Sequence, residues 1–187
     1  MTKTNDALTN LAAQLDRIDI EHTVTNGVVV LELRGTRKLK TTVALTPAPD
    51  SLRVEAFVCR KPEEKPEVVH KWLLERNRRL FGVSYALDAR GDIYLVGQLP
   101  AELSDDDLDR VLGQVLQTAD GDFNSILERG FMESIRREWE WRNDRGEPTR
   151  NLEAFRHLLE EPKKNSGGTN GGNAGGAARG GGAPVPK

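Results

Sequence analysis

The chain has 187 residues, of which 37% are hydrophobic and 30% charged, with a net charge of −2, a composition typical of one globular domain with a polar surface. A single cysteine, Cys59, excludes an intramolecular disulfide and a cysteine-based zinc site. Neither a bilayer-spanning run of roughly 20 apolar residues nor the apolar core of a signal peptide is present, so we expect a cytoplasmic protein without membrane contact.

The first part of the chain is predicted to be a helix followed by three or four strands. Apolar residues first recur at helical spacing, at Leu8, Leu11, Ala12, Leu15 and Ile18. The pattern then changes to short β-branched runs, with an Asn26-Gly27 hairpin turn and strands over 28–33, 41–46 and 52–60. In the last strand, Leu52, Val54, Ala56 and Val58 alternate with Arg53, Glu55, Phe57 and Cys59, which predicts two opposite faces.

A second helix and a further hairpin come next. Pro66 suits the first turn of a helix that runs to about Leu80. Its predicted buried stripe consists of Val69, Trp72, Leu73 and Leu80, and Arg76, Arg78 and Arg79 near its end complement the helix dipole. Two strands, over 83–88 and 92–98, are separated by a turn of hairpin length.

The last third is predicted to consist of three helices. Ser104 and Asp107 match a capping box, and the helix that follows ends near Asp120-Gly121. Asp122 is interpreted as the cap of a second helix that runs from residue 123 to about Arg142, and a third covers 149–160. The element order α-β-β-β-α-β-β-α-α-α predicts an α+β fold, with helices packed on an antiparallel sheet of about five strands.

Residues 162–187 differ in character from residues 1–161, which we predict to be one domain. The segment contains 9 of the 18 glycines and almost no large apolar group, so it is predicted to be a disordered tail. It also carries four positive charges and no acid, which leaves a charge of −6 on the remaining residues. A domain with that charge repels a phosphate backbone, so nucleic acid is not expected as a partner.

The sequence contains no pattern typical of catalysis or of metal binding. His22, His70 and His157 lie in three distant elements, and none has a second histidine at helical spacing. Cys59 lies within a predicted strand, with no neighbouring histidine to lower its pKa. Phosphate-binding glycine loops and hydrolase motifs are absent from the sequence as well. We therefore expect no enzymatic activity, no cofactor and no metal.

The segment at 134–142 is the best candidate for a contact surface. On a helix, Trp139 and Trp141 project about 200° apart, so they cannot share one buried stripe. One of them is then exposed, unless the final helix folds back over it. Because exposed tryptophan beside arginine is typical of protein interfaces, we predict that Trp139, Trp141 and Arg142 contact a partner.

Three stretches carry a resemblance to a known family: WLLERNRRLFGVSYALDARGDIYLVGQLP at 72–100, Asp120-Gly-Asp-Phe, and SIRREW at 134–139. Together they resemble the actinobacterial branch of the YbjN-domain family, over about residues 8–159. That family is described as bacterial sensory-transduction regulators with a fold like that of type III secretion chaperones. The pattern couples a helix end, a hairpin and a strand through Trp72, Asn77, Gly82, Tyr85, Asp92, Tyr94 and Gly97.

The resemblance implies a non-enzymatic domain that binds another protein, as a chaperone-like or regulatory adaptor. Secretion chaperones of this fold generally dimerise, so the resemblance also implies a homodimer. The alternative is a small-ligand sensor with a pocket between the sheet and the second helix, near Trp72, Asn77 and Tyr85. Contact of RNA with the basic tail and with the Arg76–Arg79 end of the second helix is the weakest alternative.

Overall fold

The computed structural model describes residues 2–159 and shows six antiparallel strands in the order β1-β2-β3-β4-β6-β5. The strands are β1 His22–Thr25, β2 Val28–Arg34, β3 Lys40–Pro47, β4 Ser51–Cys59, β5 Ser84–Leu87 and β6 Ile93–Pro100. The helices are α1 Thr2–Arg17, α2 Pro66–Asn77, α3 Asp105–Gly121, α4 Phe123–Gly130, α5 Met132–Arg145, a 3-10 helix Arg150–Phe155 and α6 Arg156–Leu159.

The predicted α+β class and the antiparallel sheet are confirmed, but the sheet has six strands rather than about five. The additional strand is β1, which pairs with β2 through the predicted Asn26-Gly27 turn. Both turn residues have positive φ, 51° and 79°, as a tight two-residue hairpin requires. The four strands β1 to β4 therefore form one continuous meander at the start of the domain.

The helices cover one face of the sheet. Alternate residues of the central strands point to this face and are fully or almost fully buried; these include Leu31, Val43, Leu45, Val54, Ala56, Ile93 and Leu95. They form one cluster with Leu15 of α1, Leu73 of α2 and Leu108 of α3. Cys59 was predicted to lie on the opposite face, but a register shift between Phe57 and Cys59 turns it into this core.

The single helix predicted from residue 123 to about Arg142 is divided in two at Gly130 and Phe131. The Gly130 carbonyl, which would continue the helix, instead accepts hydrogen bonds from the backbone N–H groups of Glu63 and Glu64, at 2.9 and 3.1 Å. A side chain at Gly130 would clash with Pro62, at 2.9 Å from its Cβ. The loop before α2 therefore ends α4, and α5 begins in a new direction.

The C-terminal helices form a small second cluster of their own. Ile135, Leu152 and Phe155 are buried together, and the helix predicted over 149–160 is a 3-10 helix followed by the short α6. The predicted tail at 162–187 lies outside the described residues, as does the boundary at residue 161, and both remain predictions.

A carboxylate of α3 holds the loop between β2 and β3. Oδ1 of Asp120 accepts hydrogen bonds from the backbone N–H groups of Thr36, Arg37 and Lys38, at 2.8, 2.7 and 2.8 Å. Burial raises the pKa of Asp120, but these hydrogen bonds outweigh it and hold the pKa below its ordinary value. Gly35 leaves room for this approach, because a Cβ there would lie 2.6 Å from the Lys38 carbonyl oxygen and closer still to the Asp120 carboxylate.

Substitution Gly35→Ala should therefore destabilise the protein by about 1–3 kcal/mol, as expected for overpacking. Gly113→Ala is the matched control, because nothing lies within 4 Å of the position that a methyl group would take on this helical glycine, and alanine there should stabilise by about 0.5–1 kcal/mol. Urea unfolding of the full chain measures both changes. Equal effects of the two substitutions would contradict the assigned role of Gly35.

Candidate protein-binding surface

A buried carboxylate joins three separate parts of the chain. Asp122, between α3 and α4, accepts hydrogen bonds from Arg76 of α2 through Nε at 2.9 Å and Nη2 at 2.8 Å. The hydroxyl of Tyr85 in β5 donates to the same carboxylate at 3.0 Å. Asp122 is only 7% exposed, so these donors replace the water that a charged group needs. We refer to Arg76, Tyr85 and Asp122 as the buried network.

The buried network corrects the interpretation of Asp122 as a helix cap. Its backbone stands at the start of α4, but its side chain makes no capping hydrogen bond. The bond to Asp122 raises the pKa of Arg76, which keeps the guanidinium charged. Burial, followed by the nearby Asp122 charge, raises the pKa of Tyr85, so its hydroxyl remains a donor.

The Asn77 side chain forms hydrogen bonds with the backbone at the outer edge of β5. Its side-chain oxygen accepts from the Tyr85 backbone N–H at 2.7 Å, and its side-chain nitrogen donates to the Tyr85 carbonyl at 3.2 Å. β5 lies at one end of the sheet and pairs only with β6 on its other side. α2 ends at Asn77 rather than near Leu80 as predicted, since this residue turns to bind the strand. The amide therefore occupies the position that a further strand would take.

Of the three predicted ligand-pocket residues, Asn77 and Tyr85 meet through these backbone contacts. The Trp72 ring lies beside Arg76 of the buried network, with the guanidinium groups of Arg76 and Arg129 at 5.7 and 4.8 Å from its ring centroid, and the role of the three residues in binding a ligand remains a prediction. The nearest cavity has a volume of about 120 Å³ and is lined by His70, Leu73, Leu74, Tyr85, Ala86 and Leu87. Ligand pockets usually measure about 300–1,000 Å³, so this cavity is small for a metabolite.

Exposed apolar side chains are frequent in the stretch of chain that contains α2 and β5. Of seven large, well-exposed apolar residues in the described part, four lie within 68–87: Val68, Leu74, Phe81 and Leu87. Leu74 is 67% exposed and borders the small cavity together with Leu87. Because water contact with apolar groups is unfavourable, such a concentration is typical of a surface that another molecule covers.

The outer face of the sheet continues this apolar surface. A groove of about 540 Å³ crosses β3, β4, β6 and β5, and Ala86 and Leu87 border both it and the small cavity. Phe57 and Tyr94 form its floor, in an edge-to-face contact with ring centroids 5.4 Å apart. We define the β5 surface as Leu74, Ala86, Leu87, Tyr94 and Val96, which extends from α2 across the edge strand onto the open face.

The predicted contact residues near the C-terminus fall on two sides of α5. Trp139 packs against the second cluster, whereas Trp141 is 42% exposed and has the Arg145 guanidinium 4.7 Å from its ring centroid. Arg142 binds Glu138 at 2.7 Å and the Pro148 carbonyl at 2.9 Å. Trp141 and Arg142 border one open groove, of which Trp139 is not a part. Their role in binding remains a prediction.

The described residues hold little reactive chemistry. Burial raises the pKa of Cys59 to about 12, so its thiol is protonated at neutral pH. Within residues 2–159, no group of three or more His, Cys, Asp or Glu side chains is placed to hold a metal ion. None of the described helices is long and apolar enough to cross a membrane.

Comparison with known proteins assigns the fold. The chain is similar to a chain of the HopA1-SchA chaperone-effector complex, with a TM-score of 0.50 and 14% identity over 66% of this chain and 98% of that one. It is also similar to the Yersinia pestis type III secretion chaperone SycH in complex with a fragment of YscM2, with a TM-score of 0.45 and 19% identity over 60% and 96% of the two chains. The likeness to the chain of the HopA1-SchA complex assigns the domain a fold of the type III secretion chaperone kind, as predicted.

Sequence comparison assigns the family. Residues 7–128 match YbjN, described as "Putative bacterial sensory transduction regulator". An uncharacterised protein of Mycobacterium tuberculosis (strain H37Rv) is 58% identical over 131 residues, which are 70% of this chain and 72% of that protein. The chain belongs to the YbjN family, and the predicted resemblance is confirmed.

The sequence analysis missed the buried network and the β5 surface. Arg76 was assigned to the helix dipole and Asp122 to a cap, because a contact across 46 residues has no local pattern. Leu74 had a usable signal, since it is an apolar residue outside the stripe predicted to be buried in its helix. Its exposure of 67% agrees with that position.

Substitution Tyr85→Phe should lower the free energy of unfolding by about 1.5–3 kcal/mol, because it removes one hydrogen bond to a buried charge. Tyr94→Phe, on the outer face, retains the ring contact with Phe57 and should change stability by less than about 0.5 kcal/mol. Chemical denaturation of both variants tests the difference. If the Tyr85→Phe variant were as stable as the unchanged protein, the buried network would not contribute to the stability of the fold.

Proposed function

We propose that this chain is a cytoplasmic, non-enzymatic protein-binding domain that acts as a chaperone-like or regulatory adaptor. The concentration of exposed apolar side chains on and beside the β5 surface is the observation that carries the proposal. Membership of the YbjN family and the chaperone-like fold support it. The buried, protonated Cys59 and the small volume of the cavity beside α2 favour binding of a macromolecule over catalysis or a metabolite.

The β5 surface suits a partner that docks through side chains. The backbone of Tyr85 is already bound by Asn77, so a partner cannot simply extend the sheet at this position. Leu74 and Leu87 project as apolar contacts on either side of a cavity large enough for one side chain. His70 also lines this cavity, and its Nε2 is buried without a hydrogen-bond partner among the described residues.

A second contact is proposed at the groove beside α5, where Trp141 and Arg142 lie. The Trp141 ring is open on one side and held on the other by Arg145, an arrangement suited to packing against a partner. In this proposal Trp139 contributes indirectly, by fixing α5 against the second cluster. The same two surfaces could also join two copies of the chain, as the resemblance to dimeric chaperones implies.

The double substitution Leu74→Ser/Leu87→Ser should reduce the amount of captured partner by about tenfold or more, because it replaces two central apolar contacts. The measurement is quantitative mass spectrometry of proteins retained by the tagged full chain from a mycobacterial lysate. Val24→Ser is the matched control, since Val24 is 48% exposed but lies at the opposite edge of the sheet.

Two further variants in the same experiment separate the surfaces. Trp141→Ala should weaken capture with little loss of stability, whereas Trp139→Ala should lower stability because it opens the second cluster. Light scattering of the full chain across a concentration series shows whether a second copy occupies the β5 surface, since the double leucine variant would then become monomeric. Undiminished capture by folded Leu74→Ser/Leu87→Ser and Trp141→Ala variants would refute both contacts.

A further inference from the structure

The antiparallel order brings three loops to one end of the sheet. β2 ends at Arg34, β3 begins at Lys40, β4 ends at Cys59 and β6 begins at Ile93, so residues 35–39, 60–65 and 88–92 lie together. Lys38 Nζ of the first loop donates to the Phe57 carbonyl near the end of β4 at 2.9 Å, and the Lys61 N–H of the second loop donates to Asp92 Oδ1 of the third at 2.9 Å.

Cations dominate this end and point outward. We define the basic end as Arg34, Arg37, Lys38, Lys40, Arg60, Lys61 and Arg90. All of them except Lys38 are exposed, and Lys40 alone has a described carboxylate partner, Glu32 at 2.6 Å. Lys38 is half-buried, and its ammonium group donates only to neutral oxygens, of Lys40, Thr41 and Phe57. Little of the positive charge is therefore neutralised within the described residues.

The carboxylates at this end of the sheet bind partners within the fold. Glu63 accepts a hydrogen bond from Ser134 Oγ and Glu64 one from the Glu133 N–H, both in α5. Asp120 accepts three backbone N–H groups from the loop at 35–39. Asp88 accepts the N–H groups of Arg90 and Asp92, both at 2.8 Å, and Asp92 accepts that of Lys61. These acids stabilise the turns and are not free to pair with the exposed cations. The fold thus separates the two signs of charge and leaves a positive surface.

An apolar side chain lies in the middle of the basic end. Leu39 is 81% exposed, the highest exposure among the large apolar residues of the described chain. Arg37 and Lys38 precede it and Lys40 follows it. Acidic residues are common in the first turn of α3, at Asp105, Asp106 and Asp107, but these lie at the other end of that helix. A 17-residue helix is about 25 Å long, which is about three Debye lengths at physiological salt.

We propose that the basic end binds a short acidic segment of a partner protein that carries at least one apolar side chain. The distance of about 25 Å to the acidic first turn of α3 corresponds to about eight extended residues. A longer polyanion would reach those acids and be repelled, and a phosphate backbone offers no apolar group for Leu39 to contact. The inference adds a third contact, with its own chemistry, and rests on the proposed function only in taking the occupant to be a protein.

A fluorescein-labelled peptide of six glutamates with two central leucines is the probe, and fluorescence anisotropy with the full chain gives its dissociation constant. We expect binding that weakens between 50 and 200 mM NaCl, and about fivefold or more weaker binding for Arg60→Gln/Arg90→Gln. The matched control, Arg78→Gln/Arg79→Gln, removes the same charge from exposed residues after α2 and should change the constant less than about twofold. Leu39→Ser should also weaken binding of the peptide.

Three outcomes would overturn the proposal: no binding of the peptide at 50 mM NaCl, equal losses in the two arginine pairs, or tighter binding of a ten-nucleotide single-stranded DNA. The first two would show that the basic end is not a specific site, and the third would make nucleic acid its ligand. Because the assay measures binding of the peptide to the basic end directly, none of these results bears on whether a partner is captured through the β5 surface.

Discussion

The hydrogen bonds to the buried carboxylate of Asp122 are the interaction on which the geometry of the β5 surface depends. β5 has only four residues and one neighbouring strand, so its own ladder is too short to hold it firmly. The Tyr85 hydroxyl joins the strand to Asp122 by a hydrogen bond, and the Arg76 guanidinium joins α2 to the same carboxylate. Asn77 then completes the edge of the sheet. The position of Leu74 relative to Leu87, and with it the shape of the β5 surface, follows from these contacts.

A sheet covered on one side only explains why binding surfaces remain available. Strand alternation supplies enough apolar residues to bury one face beneath α1, α2 and α3. The other face retains aromatic and apolar side chains in an open groove, and the loops at one strand end present cations while their acids are used internally. One arrangement of the core therefore leaves three separate surfaces exposed: the β5 surface, the groove beside α5 and the basic end. Exposed residues of each surface can be substituted without disturbing the core.

Most of the fold could be predicted from the sequence, because it depends on short-range patterns. The Asn26-Gly27 turn, the alternation in β4 and the Ser104 cap each appear where the local residues indicated. The division between α4 and α5 could not be predicted, since it depends on two N–H groups from residues 63 and 64 that reach the Gly130 carbonyl across the fold. Trp139 and Trp141 were correctly predicted to face different directions, but no sequence rule shows that the Trp72 ring lies beside Arg76 and Arg129.

The most direct test of the account is hydrogen–deuterium exchange of the full chain, alone and with its captured partner. Exchange reports which backbone amides become protected when a surface is covered. The account predicts slower exchange in α2 and β5, and in the adjacent residues of β6, with little change in α1 or β1. Protection confined to α1 and β1, with α2 and β5 unchanged, would show that the partner binds the opposite edge of the sheet and would contradict the central claim.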